Sequence, residues 1–570
     1  MGLAFLSSVL IILALPPFDL WPLCWIGLVP LLLALPGTTP REAAMLGAFS
    51  GTATNYMAFH WILELMKTFS NLGPFAYLCM LAMALQQSVP WMLWCFFLRV
   101  KAPTRPGRLF AAGGLLLSAL SFVAMEFFYP IIFPWYLANT QHMRPELTSI
   151  VSLGGVSLLS LAIVVFNLCL ARWIVGDLPE ERRTLWPSPL ARGRHPGLLA
   201  LAAIIPILLV GFHFSERASM TAALNAAPKF AVGLVQPNEW IGEGPAIEGL
   251  HRYQVMTEAL VAECREKGLS LDLVLWPESA VRTPTTTLAR RPEGAAEPVV
   301  EPLSEAERRR HYPLDVSHIF PSKAAPAANL AQEVGVAPGD LFAIQRGHDV
   351  PILFGTTMED VAPGAVGPIE GRPPLYNCAV LVDSAGAVLG AVEKVKLLMF
   401  GETIPGSGVF PGVYKLLPSA SCLLSGREAQ IITLGQARLG IMICYEDLLP
   451  WFHYPLAQKK PQILLNLTND AWFGRTAEPY CHMALSTLRA VEGRCYLIRS
   501  TPSGISVVID PYGQQIASIP SDQEGSLREE VSLLDVTTGF ERWGDTVAWI
   551  SMLYLVGLGG AWWAAGRHSG

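Results

Sequence analysis

Three short stretches of the sequence carry side chains of complementary chemistry. LVLWPES places Glu278 directly behind a proline that stops a strand-like run. AVEKVKLLMFGE offers Lys394 or Lys396, with Glu402 shortly after. GIMICYED sets Cys444 behind the apolar run 439–443 and ahead of Tyr445 and Glu446. A carboxylate can take a thiol proton, the thiolate can attack a carbonyl carbon, and an ammonium can stabilise the resulting oxyanion. Together these are the groups that acyl transfer needs. Singly each is weak, since a cysteine after an apolar strand more often packs than reacts. A Trp-Pro-Glu is usually a turn with a solvated acid, and a lysine near a glutamate is commonly surface charge. The conjunction, in chain order and each at a strand end, is what carries specificity.

Strands and helices must bring those ends together. FAVGLVQ, LDLVLWPE, PILFGTT, AVLVDSAG, ARLGIMIC, PQILLNLTN and CYLIRST read as strands. GLHRYQVMTEALVAECREKG and EPYCHMALSTLRAVEGR read as helices between them. Apolar strands of this kind are buried on both faces, so residues 229–540 are expected to form an α/β domain whose sheet is covered by helices. Segment 282–325, rich in Pro, Ala, Thr, Glu and Arg, lacks the apolar content for a core and is expected to be a poorly ordered insertion.

The rest of the chain faces something other than water. It is 52% hydrophobic and 15% charged, against about 25% charged in an average soluble domain. Apolar runs long enough to be spans, or nearly so, lie at about 2–15, 18–35, 42–65, 74–98, 109–128, 150–171 and 197–214, with a last one at about 545–566. Residues 1–214 thus read as seven transmembrane helices and 545–566 as an eighth. The first run has no small-residue cleavage site after it and is expected to be retained. Arg99, Lys101, Arg105 and Arg108 follow the fourth span, and Arg172, Arg182, Arg183, Arg192 and Arg194 the sixth. Basic loops stay cytoplasmic, which puts 229–540 on the opposite side.

Other chemistries find no support. A net charge of −6 without a basic patch gives no reason to expect nucleic acid. The ten cysteines include no C-x-x-C pair, so neither a zinc site nor a redox dithiol is indicated. No metal or cofactor is expected. His60 and Glu126 lie near span ends, where an ionisable group is a functional candidate. His482 reads as a helix-start or packing residue.

WPES, a lysine followed by FGE, and CYE resemble the Glu–Lys–Cys order of the nitrilase superfamily. With apolar spans on both sides, the sequence resembles the apolipoprotein N-acyltransferase family. PPFDLWPLCWIGLVPLL, HW, FPWY, VQPN, YN, NDAWFG and RAVEGRCYLIRSTPSGIS add to that resemblance, which covers nearly the whole chain. It implies a polytopic α-helical membrane domain plus a nitrilase-like αββα sandwich. The implied nucleophile is Cys444 and the implied general base Glu278. The family's lysine lies eight residues before the Glu of FGE, which selects Lys394 over Lys396 as the oxyanion stabiliser. Glu402, Tyr445 and Glu446 would support them, and Trp240 and Trp472 would touch substrate. The implied reaction moves an acyl chain from a phospholipid, through a Cys444 thioester, to the α-amino group of a lipoprotein's diacylglyceryl-cysteine. The protein would act as a monomer in the bacterial inner membrane, with the catalytic domain on the periplasmic side.

Two features depart from the family pattern: Met399 replaces the usual Pro before FGE, and the segment after Glu278 is longer. Two alternatives use the same residues. One is a membrane-bound nitrilase-like amidase with water as acceptor, and the other is a catalytically idle homologue that binds lipoproteins.

Overall fold

Without water to satisfy the backbone, apolar segments must fold as helices. The computed structural model describes residues 1–69, 73–99, 108–176, 196–240, 246–287, 344–345, 348–360, 367, 374–404, 406–407, 410 and 421–567. Its amino-terminal helices run Gly2–Leu13, Trp21–Ala34, Pro40–Ala58, Ile62–Phe69, Phe75–Arg99, Arg108–Phe128, Val151–Val175 and Pro196–Ala226, and the last helix is Thr546–Arg567. Among the described residues, Phe75–Arg99, Val151–Val175 and Pro196–Ala226 are long and apolar enough to cross a membrane.

Two helices differ from the sequence expectation. The segment expected over 42–65 breaks after Ala58 and restarts at Ile62, with the HW pair at the turn. The segment expected over 197–214 continues to Ala226. Its extension, SERASMTAALNA, is rich in strong helix formers, whereas hydropathy reports only the apolar part.

Among the described residues, the carboxy-terminal half contains thirteen strands. These are β1 (Lys229–Gln236), β2 (Leu273–Leu275), β3 (Val281–Thr287), β4 (Ile352–Asp360), β5 (Leu375–Val382), β6 (Val388–Glu393), β7 (Ile431–Leu434), β8 (Ala437–Ile443), β9 (Ile463–Leu467), β10 (Tyr496–Ser500), β11 (Ser506–Ile509), β12 (Gln515–Ile519) and β13 (Gly525–Ser532). One sheet has the order β13-β1-β2-β4-β5-β6 with β3 paired to β4, and the other β12-β11-β10-β9-β8-β7. β3 corrects part of the expected disordered insertion, because its start pairs in parallel with β4, where Thr285, Thr286 and Thr287 oppose Met358, Glu359 and Asp360. Successive β-branched residues favour such an extended pairing. The remainder of the expected insertion, 288–325, lies outside the described residues.

Side-chain alternation builds the layers. Leu273 and Leu275 of β2, with Ala379 and Leu381 of β5, share one core with Leu439, Ile441 and Ile443 of β8. Val274 and Trp276, with Val380 and Val382, face the other way onto Leu250, Tyr253 and Leu260 of the helix Ala246–Glu266. The second sheet is backed by helices Pro450–Gln458 and Glu478–Gly493, and the latter packs against Val151–Val175. The sandwich therefore rests on the apolar bundle through one helix layer. Asn139 Nδ2 donates to the Leu485 carbonyl at 3.2 Å, and the Trp61 ring meets Phe473 edge-on at 5.0 Å.

Candidate active site

Each candidate side chain stands where a strand stops. Pro277 follows β2 and cannot extend the ladder, and Ser279 turns the chain with φ +58°. β4 passes so close that a Cβ on Gly355 would stand 2.5 Å from Glu278 Cα and 2.7 Å from the Pro277 carbonyl oxygen. Only glycine lets the strand approach that turn. The turn holds Glu278 buried, with Oε1 accepting from Asn377 Nδ2 at 2.6 Å.

Lys394 follows β6 and is 1% exposed. Its Nζ lies 3.3 Å from Glu278 Oε1 and 2.9 Å from the Glu402 carboxylate. Asn377 Nδ2 also reaches Glu402 Oε1 at 3.0 Å, and the Leu398 N–H donates to Glu402 Oε2 at 2.8 Å. One ammonium, two carboxylates and one amide thus form a closed group. Lys396 points elsewhere, its Nζ lying over the Trp451 ring at 5.0 Å.

β8 ends at Ile443, and Cys444 adopts φ +51°, a left-handed conformation uncommon for a residue with a Cβ. A tight turn, Cys444–Leu448, follows. Glu446 ties this turn to the lysine segment: it accepts from the N–H groups of Val395 at 2.7 Å, Lys396 at 2.9 Å and Ile443 at 2.9 Å. Asn466 Nδ2 holds the Cys444 carbonyl at 3.0 Å, and the Tyr445 hydroxyl donates to the Ile132 carbonyl at 2.7 Å. The last bond fastens the cysteine turn to the FPWY loop of the helical half.

Burial dominates the electrostatics. It pushes the Cys444 thiol up to about 12; the Glu278 carboxylate adds to this, while Lys394 and His482 oppose it. Cys444 is therefore a thiol at rest, and attack requires a base to take its proton during the step. Burial also raises Glu278, with the Lys394 ammonium opposing. For Lys394, burial disfavours the charge, but Glu278 and Glu402 overcome it and hold the ammonium well above its ordinary range. A raised carboxylate, a firmly charged ammonium and a protonated thiol are suited to general-base attack on a carbonyl.

The remaining candidates have more local partners. Trp472 is half-exposed in the turn Asp470–Phe473, and Arg475 just beyond it lies over the Trp240 ring at 5.3 Å. His60 is exposed in the turn after Ala58 and bonds the Met57 carbonyl of the preceding helix at 2.9 Å. Glu126 accepts from the Leu137 N–H at 2.7 Å, bracing the loop below the cysteine turn. Sequence reasoning quoted the YN pair without giving Asn377 a role. It also read His482 as packing, whereas His482 joins a buried cluster with Asp447, Asp470, Glu478 and Arg499.

The two-sheet sandwich on apolar helices defines a membrane-mounted protein of nitrilase type. Residues 7–169 match the apolipoprotein N-acyltransferase N-terminal domain, and residues 253–539 match the carbon-nitrogen hydrolase family. Apolipoprotein N-acyltransferase of Geobacter metallireducens is 28% identical over 554 residues, spanning 96% of this chain and 92% of its own length. Its namesake from Azotobacter vinelandii is 29% identical over 95% of this chain and 91% of its own. A solved nitrilase-superfamily member from Saccharomyces cerevisiae, Nit3, overlaps 53% of this chain and 90% of its own, at 18% identity and a TM-score of 0.32. The chain belongs to the carbon-nitrogen hydrolase family, and along nearly its whole length it is similar to the apolipoprotein N-acyltransferases.

Proposed function

We propose that Cys444 carries an acyl chain between two membrane-held substrates. The donor is a phospholipid, and the acceptor is the α-amino group of a lipoprotein's diacylglyceryl-modified N-terminal cysteine. The observation that carries this reading is the buried group around Lys394, whose Nζ lies 3.3 Å from Glu278 and 2.9 Å from Glu402, linked to the Cys444 turn through Glu446.

In the first half-reaction Glu278 takes the Cys444 proton as the sulfur bonds to the ester carbonyl carbon. Lys394 stabilises the tetrahedral oxyanion, its own charge held by Glu402. The C–O bond then breaks, Glu278 returns the proton to the glycerol oxygen, and lysophospholipid leaves a thioester on Cys444. In the second half the lipoprotein amine attacks that thioester and gives a proton to Glu278. The C–S bond breaks, an amide forms, and the proton returns to sulfur. Trp240 and Trp472 serve as substrate contacts flanking this path.

The enzyme works as a monomer in the bacterial inner membrane, with the sandwich on the periplasmic side. The arginines after the fourth and sixth spans support that orientation. A hydrolase of soluble amides has no need of the helical half, which favours acyl transfer over hydrolysis.

The test supplies purified protein with phospholipid carrying a labelled acyl chain and a diacylglyceryl-cysteinyl peptide. Label should appear as an amide on the peptide and be lost in Cys444→Ala and Glu278→Gln. Label released only as free fatty acid would turn the reading to a hydrolase. No transfer by the folded protein would leave the idle homologue.

A further inference from the structure

His482 is held from two sides. Nε2 lies 3.0 Å from Asp447 Oδ1, and Nδ1 lies 3.0 Å from Asp470 Oδ1 and 3.4 Å from Glu478 Oε1. An ionised carboxylate only accepts hydrogen bonds, so both ring nitrogens must donate, and only the imidazolium carries a proton on each. The other charges at the site agree. Arg499 donates to Asp447 and lies 3.9 Å from Asp470 Oδ2. Burial, with Asp470 adding to it, pushes Glu478 up to about 7. Two cations therefore face two carboxylates and one acid of weakened charge. A neutral imidazole would leave this buried group with unbalanced negative charge, which is costly.

Asp470, Glu478 and His482 also bring ligand atoms within 4.8 Å of one another, a spacing that could hold a metal ion. Arg499 and the imidazolium already meet the carboxylates, and a metal would have to displace the proton that Nδ1 gives Asp470. The chain's own charges account for the cluster.

The three elements joined here matter. Asp447 belongs to the Cys444–Leu448 turn, Asp470 opens the turn Asp470–Phe473, and His482 lies on the helix Glu478–Gly493. We infer that His482 is a permanently charged positioning residue: its imidazolium clamps the nucleophile's turn to the Asp470 turn, and its charge favours the thiolate that Cys444 forms during attack. This rests on Cys444 being the nucleophile. The Coulombic pull of His482 on the thiol, against burial and Glu278, agrees with it.

The test compares wild type with His482→Gln in detergent, reading iodoacetamide alkylation of Cys444 by peptide mass across pH. Gln can hydrogen-bond but carries no charge, so the Cys444 profile should move up by about one pH unit, with about tenfold slower alkylation at neutral pH. The other nine cysteines serve as internal references. An unshifted Cys444 profile in folded His482→Gln would reduce His482 to a structural residue and overturn the inference. A second measurement needs no variant: in ¹⁵N-histidine-labelled protein one imidazolium should persist well above the pH at which ordinary histidines, which titrate near about 6.5, have lost theirs. Loss of every imidazolium signal together with those of the ordinary histidines would overturn the inference as well. Neither measurement uses an acyl donor, so failure here is distinct from failure of the acyl-transfer reading.

Discussion

Replacing Lys394 by Met keeps the length of the side chain and removes its charge. In the native protein that charge sits between Glu278 and Glu402, with Lys394 only 1% exposed. Breaking a buried ion pair by removing one partner costs about 3–5 kcal/mol, because the other charge stays buried and unmatched. Here the remaining partners are acids, so they can escape the cost by taking up protons. Glu278 is already raised by burial, and losing the ammonium that opposes this raises it further. A carboxyl whose folded value lies above its unfolded one contributes stability below the unfolded value, and that contribution is lost as pH rises through the folded value. The deficit of Lys394→Met should therefore be small at the acid end of the ordinary carboxyl range and grow toward about 3–5 kcal/mol as pH rises through the raised value of Glu278. Thermal unfolding of the detergent-solubilised full chain, scanned over that range beside wild type, reads this directly. Thioester formation should fall by about 10²–10³-fold throughout, the usual loss for one oxyanion donor. A deficit that does not change with pH would refute the charge balance described for the site. Acylation within a few-fold of wild type would refute the oxyanion role.

Asn377→Leu removes the amide that bonds Glu278 at 2.6 Å and Glu402 at 3.0 Å. Because that bond lowers Glu278, the acid limb of the acylation–pH profile should shift upward and the rate at neutral pH fall by about tenfold, as stopped-time mass measurements would show. Gly355→Ala places a Cβ against Glu278 Cα and the Pro277 carbonyl, which are backbone and cannot swing aside. It should abolish acylation while circular dichroism keeps the native helix and strand content. Tyr445→Phe loses one hydrogen bond to Ile132 but keeps the ring packed against Phe133 at 6.3 Å. A loss of about 0.5–1.5 kcal/mol in thermal unfolding, with acylation within tenfold of wild type, is the expected result.

Much of the architecture was legible because it follows from periodicity and burial. Strands such as β8 and β9 are continuous apolar runs, and the helix Glu478–Gly493 carries a helical spacing of apolar residues. β6, β7 and β12 were not legible: they are partly exposed and short, and only their pairing with β5, β8 and β11 makes them strands. The break at Ala58 escaped as well, since Phe59, Trp61 and Ile62 are apolar whether or not the helix continues. At the site, strand ends and residue types pointed to Glu278, Cys444 and a lysine at 394 or 396, and the family resemblance selected Lys394. What links them did not show. Asn377 lies inside β5, where an amide has no spacing signature. Glu446 acts on three backbone N–H groups from two segments, which only tertiary structure can bring together. His482 had one faint sign, its i,i+4 placement after Glu478, but Asp447 and Asp470 come from other elements.

The central claim is that Cys444 becomes acylated by phospholipid. Purified protein incubated with phospholipid and no acceptor, then weighed intact and mapped by peptide mass, tests it most directly. The account predicts one added acyl mass on Cys444, absent in Cys444→Ala and discharged when the lipopeptide amine is supplied. Folded wild-type protein that binds phospholipid yet gains no mass, or gains it at another residue, would contradict the account.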